Sequence, residues 1–407
     1  MRNLIAGIVV GIVIGIVVGT TVVAPRLKLP VQTEAERSAA SDASPWARGA
    51  PRKAFKADEP PSKPIQEPPS SGAPRPAASP DTQKQTRWRM ASAYASTLAE
   101  MGSLAKRVEA DIWKASDGGF RVEFFEPGTL VATDKAFDAV RSGAIEAAFA
   151  APAIWADRNP ALHLFSAIPF GPPIQEYLAW VHAKGSVIMR DVYKKLGVHG
   201  MACGLLAPEG SGWFRTPVKS LAELKAQRVG MTGLGADVLQ QLGVEVLPVA
   251  EGDAFVALER GLIDAAEAAQ PSIDLQLGLH HMARHYYFPG WHQPATLLSL
   301  IVNQSAWDQL APAQQSQLQN VCGDNIRRGL AESEAAQFDA LKTLTADGVS
   351  IETWSPEILS ALRGAWTKVV RAKRKKSRDF DRAWRSLEQF REEYGIWREI
   401  GQPATGK

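Results

Sequence analysis

One segment occurs twice in this chain. FDAVRSGAIEAAFAAP runs from Phe137 to Pro152, and FVALERGLIDAAEAAQP from Phe255 to Pro271. Each has a helical turn closing at a glycine, Gly143 or Gly261. Ile and an acid follow (Ile145-Glu146, Ile263-Asp264), then an alanine-rich stretch that ends at proline. An Arg-Val strand precedes each copy, at Arg121 and at Arg228. A helix stopped by a C-terminal glycine and continued by a buried strand is one βαβ element. Two copies imply two similar α/β lobes. In open α/β sheets, ligands bind beyond the carboxyl ends of the strands. Phe149 to Ile154 and Glu267 to Gln270 are therefore expected to line a cleft between the lobes.

The surrounding text agrees with an α/β class. RWRMASAYA reads as a strand, Leu98 to Ala115 as a helix, and FRVEFF as a strand bounded by Gly118-Gly119 and Pro127-Gly128. From about Ser305 the chain reads as helical, and SAWDQLAPAQQSQLQNV opens on a serine cap. The last helix, about Ser377 to Trp397, carries Phe380, Trp384, Leu387, Phe390 and Tyr394 on one stripe. Left bare, that stripe exceeds what a monomer tolerates, so it must pack on its own lobes or on a partner. The expected lobes are residues 86–207 with 303–397, the latter including the C-terminal helices, and residues 208–302.

The N-terminus bears on location. Leu4 to Ala24 is apolar and uncharged, about 21 residues, enough to cross the hydrocarbon core of a bilayer. Cleavage after Ala24 would leave Pro25 next, which favours a retained anchor over a signal peptide. Residues 1–24 are thus expected to be a transmembrane anchor on the periplasmic side of the inner membrane. Gly7, Gly11, Gly15 and Gly19 form a stripe on which a second helix can pack. Residues 25–85 are rich in Pro, Ala, Ser and charge, cannot bury a core, and read as a flexible tether. Cys203 and Cys322 stand in apolar or helical text without metal-type spacing and are expected to be buried thiols. The net charge of +3 gives no nucleic-acid signal.

GWFRTPVKSLAELKAQRVGMTGLGADVLQQLG, the GLIDAAE segment and YYFPGWHQPATLLSLIVNQSAW together resemble the solute-binding proteins of TRAP (tripartite, ATP-independent, periplasmic) transporters. The likeness extends from about Thr86 to Trp397 and is greatest to the subgroup that binds 2-oxo acids. It implies a two-lobed periplasmic-binding-protein-like fold that closes on a small solute, hands it to a membrane permease, and does no chemistry on it. The resembling oxo-acid binders also exchange a C-terminal helix between subunits, which adds to the expectation of a homodimer.

Several positions depart from that pattern. The family's carboxylate-binding arginine, in a motif like K-[MI]-R-[IV]-P-G, falls on Gly230, with Arg228 two residues earlier on the same strand face. Its EWVGP is Glu267-Ala268-Ala269-Gln270-Pro271, and its tyrosine pair before Trp155 is Ala153-Ile154. In the oxo-acid binders a cation bridges ligand and protein through an amide and two acids. Those positions are Glu209, Glu267 and Gln293, so an amide and an acid have changed places. Oxygen donors of this kind suit a hard cation. The expected ligand-binding set is Glu209, Arg228, Glu267, Gln270, Gln293, Trp155, Ile154 and Phe149. Pyruvate is expected to bind weakly without the arginine.

His281 and His285 are four apart but lack a third ligand, and the basic run Lys368 to Arg378 reads as a solvated helix end. No Ser-His-Asp set, GxSxG or nucleotide loop is present, so an enzyme is not expected. Two readings follow. One is a tethered receptor of a TRAP-type transport system. The other is a membrane-tethered sensor or scaffold whose cleft has degenerated, favoured by Gly230.

Overall fold

The computed structural model describes residues 85–401 apart from 250 and 268. The anchor at Leu4 to Ala24, its glycine stripe, the tether before Gln85, and Ala268 lie outside the described residues. Among the described residues no helix is long and apolar enough to cross a membrane.

Two mixed sheets organise the chain. The first contains β1 (Thr86–Ser92), β2 (Phe120–Phe125), β3 (Ala147–Ala150), β4 (Val198–Leu206) and β10 (Thr296–Asn303), in the order β2-β1-β3-β10-β4. The second contains β5 (Gly212–Phe214), β6 (Arg228–Gly230), β7 (Glu245–Leu247), β8 (Ala265–Ala266), β9 (His285–Phe288) and β11 (Ser350–Thr353), in the order β11-β9-β5-β8-β6-β7. The chain leaves the first sheet after β4 and is back in it at Thr296. It returns to the second for β11, so the second lobe is not one continuous stretch.

Local sequence explains the strands at the centre. β1 alternates, with Trp88 and Met90 buried and Arg87 and Arg89 exposed. β3, Ala-Ala-Phe-Ala, is buried at every residue, as a strand covered on both faces must be. The helix Ala136–Ser142 (α1) ends at Gly143, whose φ of 79° is open to glycine without strain. Its counterpart Ala254–Glu259 (α2) runs on to Gly261 at φ 66°. The two repeated segments thus form the same helix, left-handed glycine and buried strand. The arginine strands do not match as expected. β8 pairs with β6, which bears Arg228, whereas β3 pairs with β1, so the counterpart of Arg228 is Arg89 and not Arg121.

One expectation needs correction, and one that left two outcomes open is narrowed. Cys203 on β4 and Cys322 on the long helix Pro312–Ala346 (α3) form a buried disulfide, not two thiols. Their 119-residue separation hides a contact that exists only once α3 packs on β4. The stripe of the last helix, Arg378–Ile400 (α4), packs largely on its own chain. Phe380 and Leu387 are buried, and Trp384 meets Trp366 of the preceding helix Pro356–Lys376 (α5) edge-on at 5.6 Å. Arg391 and Arg398 clamp the buried Glu176. What remains exposed lies at the helix end: Ile396, Trp397 and Ile400.

Candidate functional site

Three connections approach one another beside the two sheets, and each carries a polar side chain to the same point. Glu209 lies in the crossing from β4 to β5. Glu267 directly follows β8. His292 and Gln293 lie in the return from β9 to β10. Backbone bonds fix these connections together. Glu209 N–H donates to Gln293 O (3.1 Å), Gly210 N–H to Ala269 O (3.2 Å), and Glu267 N–H to Gly230 O (2.9 Å). The return follows a cis Phe288–Pro289 bond and reaches Glu209 so closely that a Cβ on Gly290 would stand 2.0 Å from the Glu209 carbonyl oxygen. Only glycine fits there.

The side chains form a compact cluster. One donor atom each of Glu209, Glu267 and His292 lies within 4.8 Å of the others. His292 Nε2 is 3.2 Å from Glu267 Oε1 and 3.9 Å from Glu209 Oε2. Thr296 donates to Glu209 Oε1 at 2.6 Å, and Gln293 Nε2 donates to Glu209 Oε2. Glu209 and His292 are buried, and the Glu267 side chain is 15 % exposed. Among the described residues, no arginine or lysine pairs with either acid.

That environment sets the protonation. Burial, and then the neighbouring Glu267, push the Glu209 carboxyl up to about 8; burial does the same to Glu267, which is hydrogen-bonded to Glu209. Burial holds the His292 imidazole down at about 4, so it is neutral at physiological pH. Its Nδ1 is buried without a partner, so the ring's polar interactions lie at Nε2. The cluster therefore offers two carboxyl groups sharing protons, a neutral imidazole and an amide, a donor set that fits a cation.

The residues expected from sequence fall into two groups. Glu209, Glu267 and Gln293 come together, with His292 beside them. His292 was overlooked, although it closes the PGWH text. Gln270 is fully buried near them and donates to Ala207 O at 2.9 Å, and its Oε1 has no partner. Trp155 is buried edge-on against Phe137 at 5.6 Å, and Ile154 is exposed. Phe149 does not line the cleft. Its side chain is buried with Trp88, Met90 and Leu298 in the core on one side of the first sheet. Arg228 does not reach the cluster either. Its backbone N–H and Nε bond Asp264 Oδ2 at 3.0 and 2.9 Å, and Nη2 bonds Oδ1 at 2.7 Å. At Gly230 a Cβ would meet Ile263 Cδ1 at 2.7 Å and Val249 Cβ at 3.2 Å, so apolar side chains occupy that space. Ala268 lies outside the described residues.

Comparison with known proteins fits this geometry. Residues 91–376 match the family model described as bacterial extracellular solute-binding protein, family 7. A monocarboxylate 2-oxoacid-binding periplasmic protein of Nostoc sp. (strain PCC 7120) is 29% identical over 320 residues, covering 78% of this chain and 87% of that protein. A TRAP transporter solute-binding protein from Bordetella bronchiseptica RB50 superposes with a TM-score of 0.75 at 31% identity, over 78% of this chain and 95% of that one. It is described as a dimer of mixed occupancy, with copurified calcium and picolinate in one site and the other apo. A TRAP periplasmic solute-binding protein from Pseudoalteromonas atlantica, with bound sodium and pyruvate, superposes with a TM-score of 0.74 at 26% identity, over 77% and 96% of the two chains. The chain belongs to family 7 of the bacterial extracellular solute-binding proteins and is a periplasmic, two-lobed receptor that captures a small solute for a TRAP-type transport system.

Proposed function

We propose that the cleft takes a small monocarboxylate through a bound cation instead of through an arginine. The observation behind this is the pair Glu209 and Glu267, set together with no arginine or lysine of the described residues against them. Ionised in a low-dielectric site, the two carboxylates repel each other and lose solvation. A cation between them relieves both costs. Glu209, Glu267 and Gln293 are the residues to hold it. Turned about its last torsion, Gln293 presents Oε1 to the point that Nε2 now faces. His292 is an adjoining donor, and Gln270, Trp155 and Ile154 are the remaining candidates around the solute. The relatives that hold calcium with picolinate, or sodium with pyruvate, support this division of labour. In this reading the solute carboxylate completes the cation's shell and leaves unaltered, so the protein is not an enzyme.

The tethered arrangement belongs to the same proposal. In it, the apolar text from Leu4 to Ala24 holds the receptor at the membrane whose permease takes its solute. Ile396, Trp397 and Ile400, exposed at the end of α4, suit a contact with a second subunit, and the dimeric Bordetella relative supports one. The scaffold alternative rested on Gly230, and that position is packed with Ile263 and Val249.

The test is calorimetry on the full-length chain in detergent, stripped of cations by chelator. Picolinate and pyruvate are titrated with and without calcium. Calcium should strengthen binding at least ~100-fold, as expected when it removes an unpaired buried charge. Carboxylate affinity indifferent to chelation would defeat the proposal.

A further inference from the structure

Close to the cluster in the chain lies a buried acid bonded to two strands and a connection that lead to it. Asp274 sits in the first turn of the helix Pro271–Leu277 and is 1% exposed. Its Oδ1 accepts from Ala269 N–H at 2.8 Å, and its Oδ2 accepts from Trp213 Nε1 at 2.7 Å and from Tyr286 OH at 2.8 Å. Trp213 lies on β5 and Tyr286 on β9, the strands that bound two of the connections, and Ala269 lies in the third. Ala269 lies two residues after Glu267, Trp213 four after Glu209, and Tyr286 six before His292. The indole of Trp213 stacks on the Tyr286 ring at 4.0 Å, within 10° of parallel.

The links go on from there towards the cluster. The carbonyl of Ala269, the residue whose N–H Asp274 binds, accepts from Gly210 N–H, adjacent to Glu209. Gly210 lies flat against Tyr286, since a Cβ there would stand 2.3 Å from the ring. Asp274 is therefore the common acceptor that ties β5, β9 and the segment after β8 together. The bond from Ala269 is local, whereas those from Tyr286 and Trp213 reach Asp274 across 12 and 61 residues and so tie separate strands to it. A carboxylate with both oxygens bonded in a dry site also has little freedom to shift.

We infer that Asp274 is a positioning residue for the binding site: through Trp213, Ala269 and Tyr286 it fixes the separation of Glu209, Glu267 and His292, and with it the affinity for cation and carboxylate. This inference rests on the cation reading above.

Three variants of the full-length chain test it in detergent: Asp274→Asn, Tyr286→Phe and Trp213→Phe. Each is titrated with calcium and then picolinate well below its unfolding temperature. Val349→Ala, which thins the core cluster that also holds Tyr286, at a residue that makes no hydrogen bond to Asp274, serves as the stability control. Asp274→Asn should weaken calcium at least ~10-fold, the loss usual when groups that orient metal ligands are changed. Tyr286→Phe and Trp213→Phe should each give a smaller loss. Val349→Ala should lower the unfolding temperature and leave affinity intact. A near-ultraviolet circular dichroism change at the Trp213–Tyr286 stack should accompany the loss in Asp274→Asn. If Asp274→Asn does not fold, the two single-donor variants decide the matter. Folded variants that bind calcium as the parent does, or that lose affinity only as Val349→Ala does, would overturn the inference. A parent chain that binds neither calcium nor picolinate would remove the cation reading, and this inference with it.

Discussion

The two repeated units share a bonding scheme down to individual atoms, yet they end differently. In the first lobe, Arg89 N–H and Nε bond Glu146 Oε2 at 2.8 and 3.0 Å, and Nη2 bonds Oε1 at 2.9 Å. In the second, Arg228 makes the same three bonds to Asp264. The strands are also in the same register, Met90 opposite Ala147 and Val229 opposite Ala265. Two residues further on, the first unit places Phe149 and the second Glu267. Phe149 enters the core of the first lobe, whereas Glu267 enters the cluster with Glu209 and His292. In the proposed reading, one scaffold serves packing in one lobe and binding in the other. What differs is the residue at the strand end, which is also the position from which open α/β sheets bind ligands.

The lobes differ covalently as well, and here the largest effect is expected. The Cys203–Cys322 disulfide joins β4 to α3 beside the first sheet, and the described part of the second sheet has no crosslink. Closing a loop of 119 residues restricts the unfolded chain strongly, and losing such a bond costs about 2–5 kcal/mol. Replacing both cysteines with serine should shift denaturant unfolding by that amount and speed hydrogen exchange first in β4 and α3. Calcium affinity at low temperature should hardly change. Equal exchange in both lobes would mean that they unfold as a single unit.

The next effect is at the strand ends. Glu267→Gln should lower calcium affinity at least ~100-fold, because it removes a charged ligand from a buried site. Stability should stay level or rise, since an acid that burial keeps protonated is replaced by a neutral amide of the same shape. Phe149→Leu should do the reverse, costing about 1–3 kcal/mol of stability through lost core packing with affinity unchanged. Calorimetry and chemical denaturation on the two variants read both quantities. Loss of affinity in Phe149→Leu would show that the two lobes are not specialised in this way.

Protonation offers a graded version of the same comparison. Folding raises Glu209 and Glu267 from 4.5 to about 8, so the empty native site holds protons that the unfolded chain releases. Their contribution to stability is full below the unfolded value and is lost as pH rises through about 8. Cation binding needs the ionised forms and expels those protons. Calcium affinity should therefore climb between about pH 6 and 8, by up to roughly tenfold per unit for each proton released, and then level off. The first lobe's acid behaves oppositely. The Arg89 hydrogen bonds hold Glu146 below the ordinary carboxylate range despite its partial burial, so it stays ionised throughout. Calorimetry in buffers of different ionisation heat counts the protons, and an affinity flat across this range would mean that the acids are already ionised when empty.

How much of this the sequence disclosed depends on the kind of relation involved. The repeated helix-glycine-strand text exposed both lobes, because glycine and buried alanine leave local marks. Glu209, Glu267 and Gln293 were accessible only by matching positions to a known family. His292 and Asp274 were not found. Asp274 looks like an ordinary acid in the first turn of a helix, and its three donors come from segments that meet only after folding. The disulfide was missed for the same reason. Arg228 stays out of the cleft because Asp264, the acid within the repeated segment directly before the neighbouring strand, already binds it. Pairing it with Arg121 compared strands by sequence order, while β2 corresponds to β7, the outer strand of the second unit.

The smallest effect separates the roles assigned to arginine. If Arg228 reached the solute, Arg228→Lys would reduce carboxylate affinity markedly, since lysine cannot reproduce a two-pronged bond. If it only holds Asp264, the change touches a bond network at the partly exposed start of β6, where ion pairs contribute little. Arg89→Lys provides the internal standard, because Arg89 makes the same three bonds in the lobe without ligand donors. Both variants should lower the unfolding temperature slightly and by similar amounts. Picolinate affinity in the presence of calcium should stay within about 2-fold of the parent in each. A loss confined to Arg228→Lys would return that arginine to the binding site and break the equivalence of the two units. Equal, small changes would identify the arginine–carboxylate clasp as a structural element shared by both lobes, with binding left to the acids at the strand end.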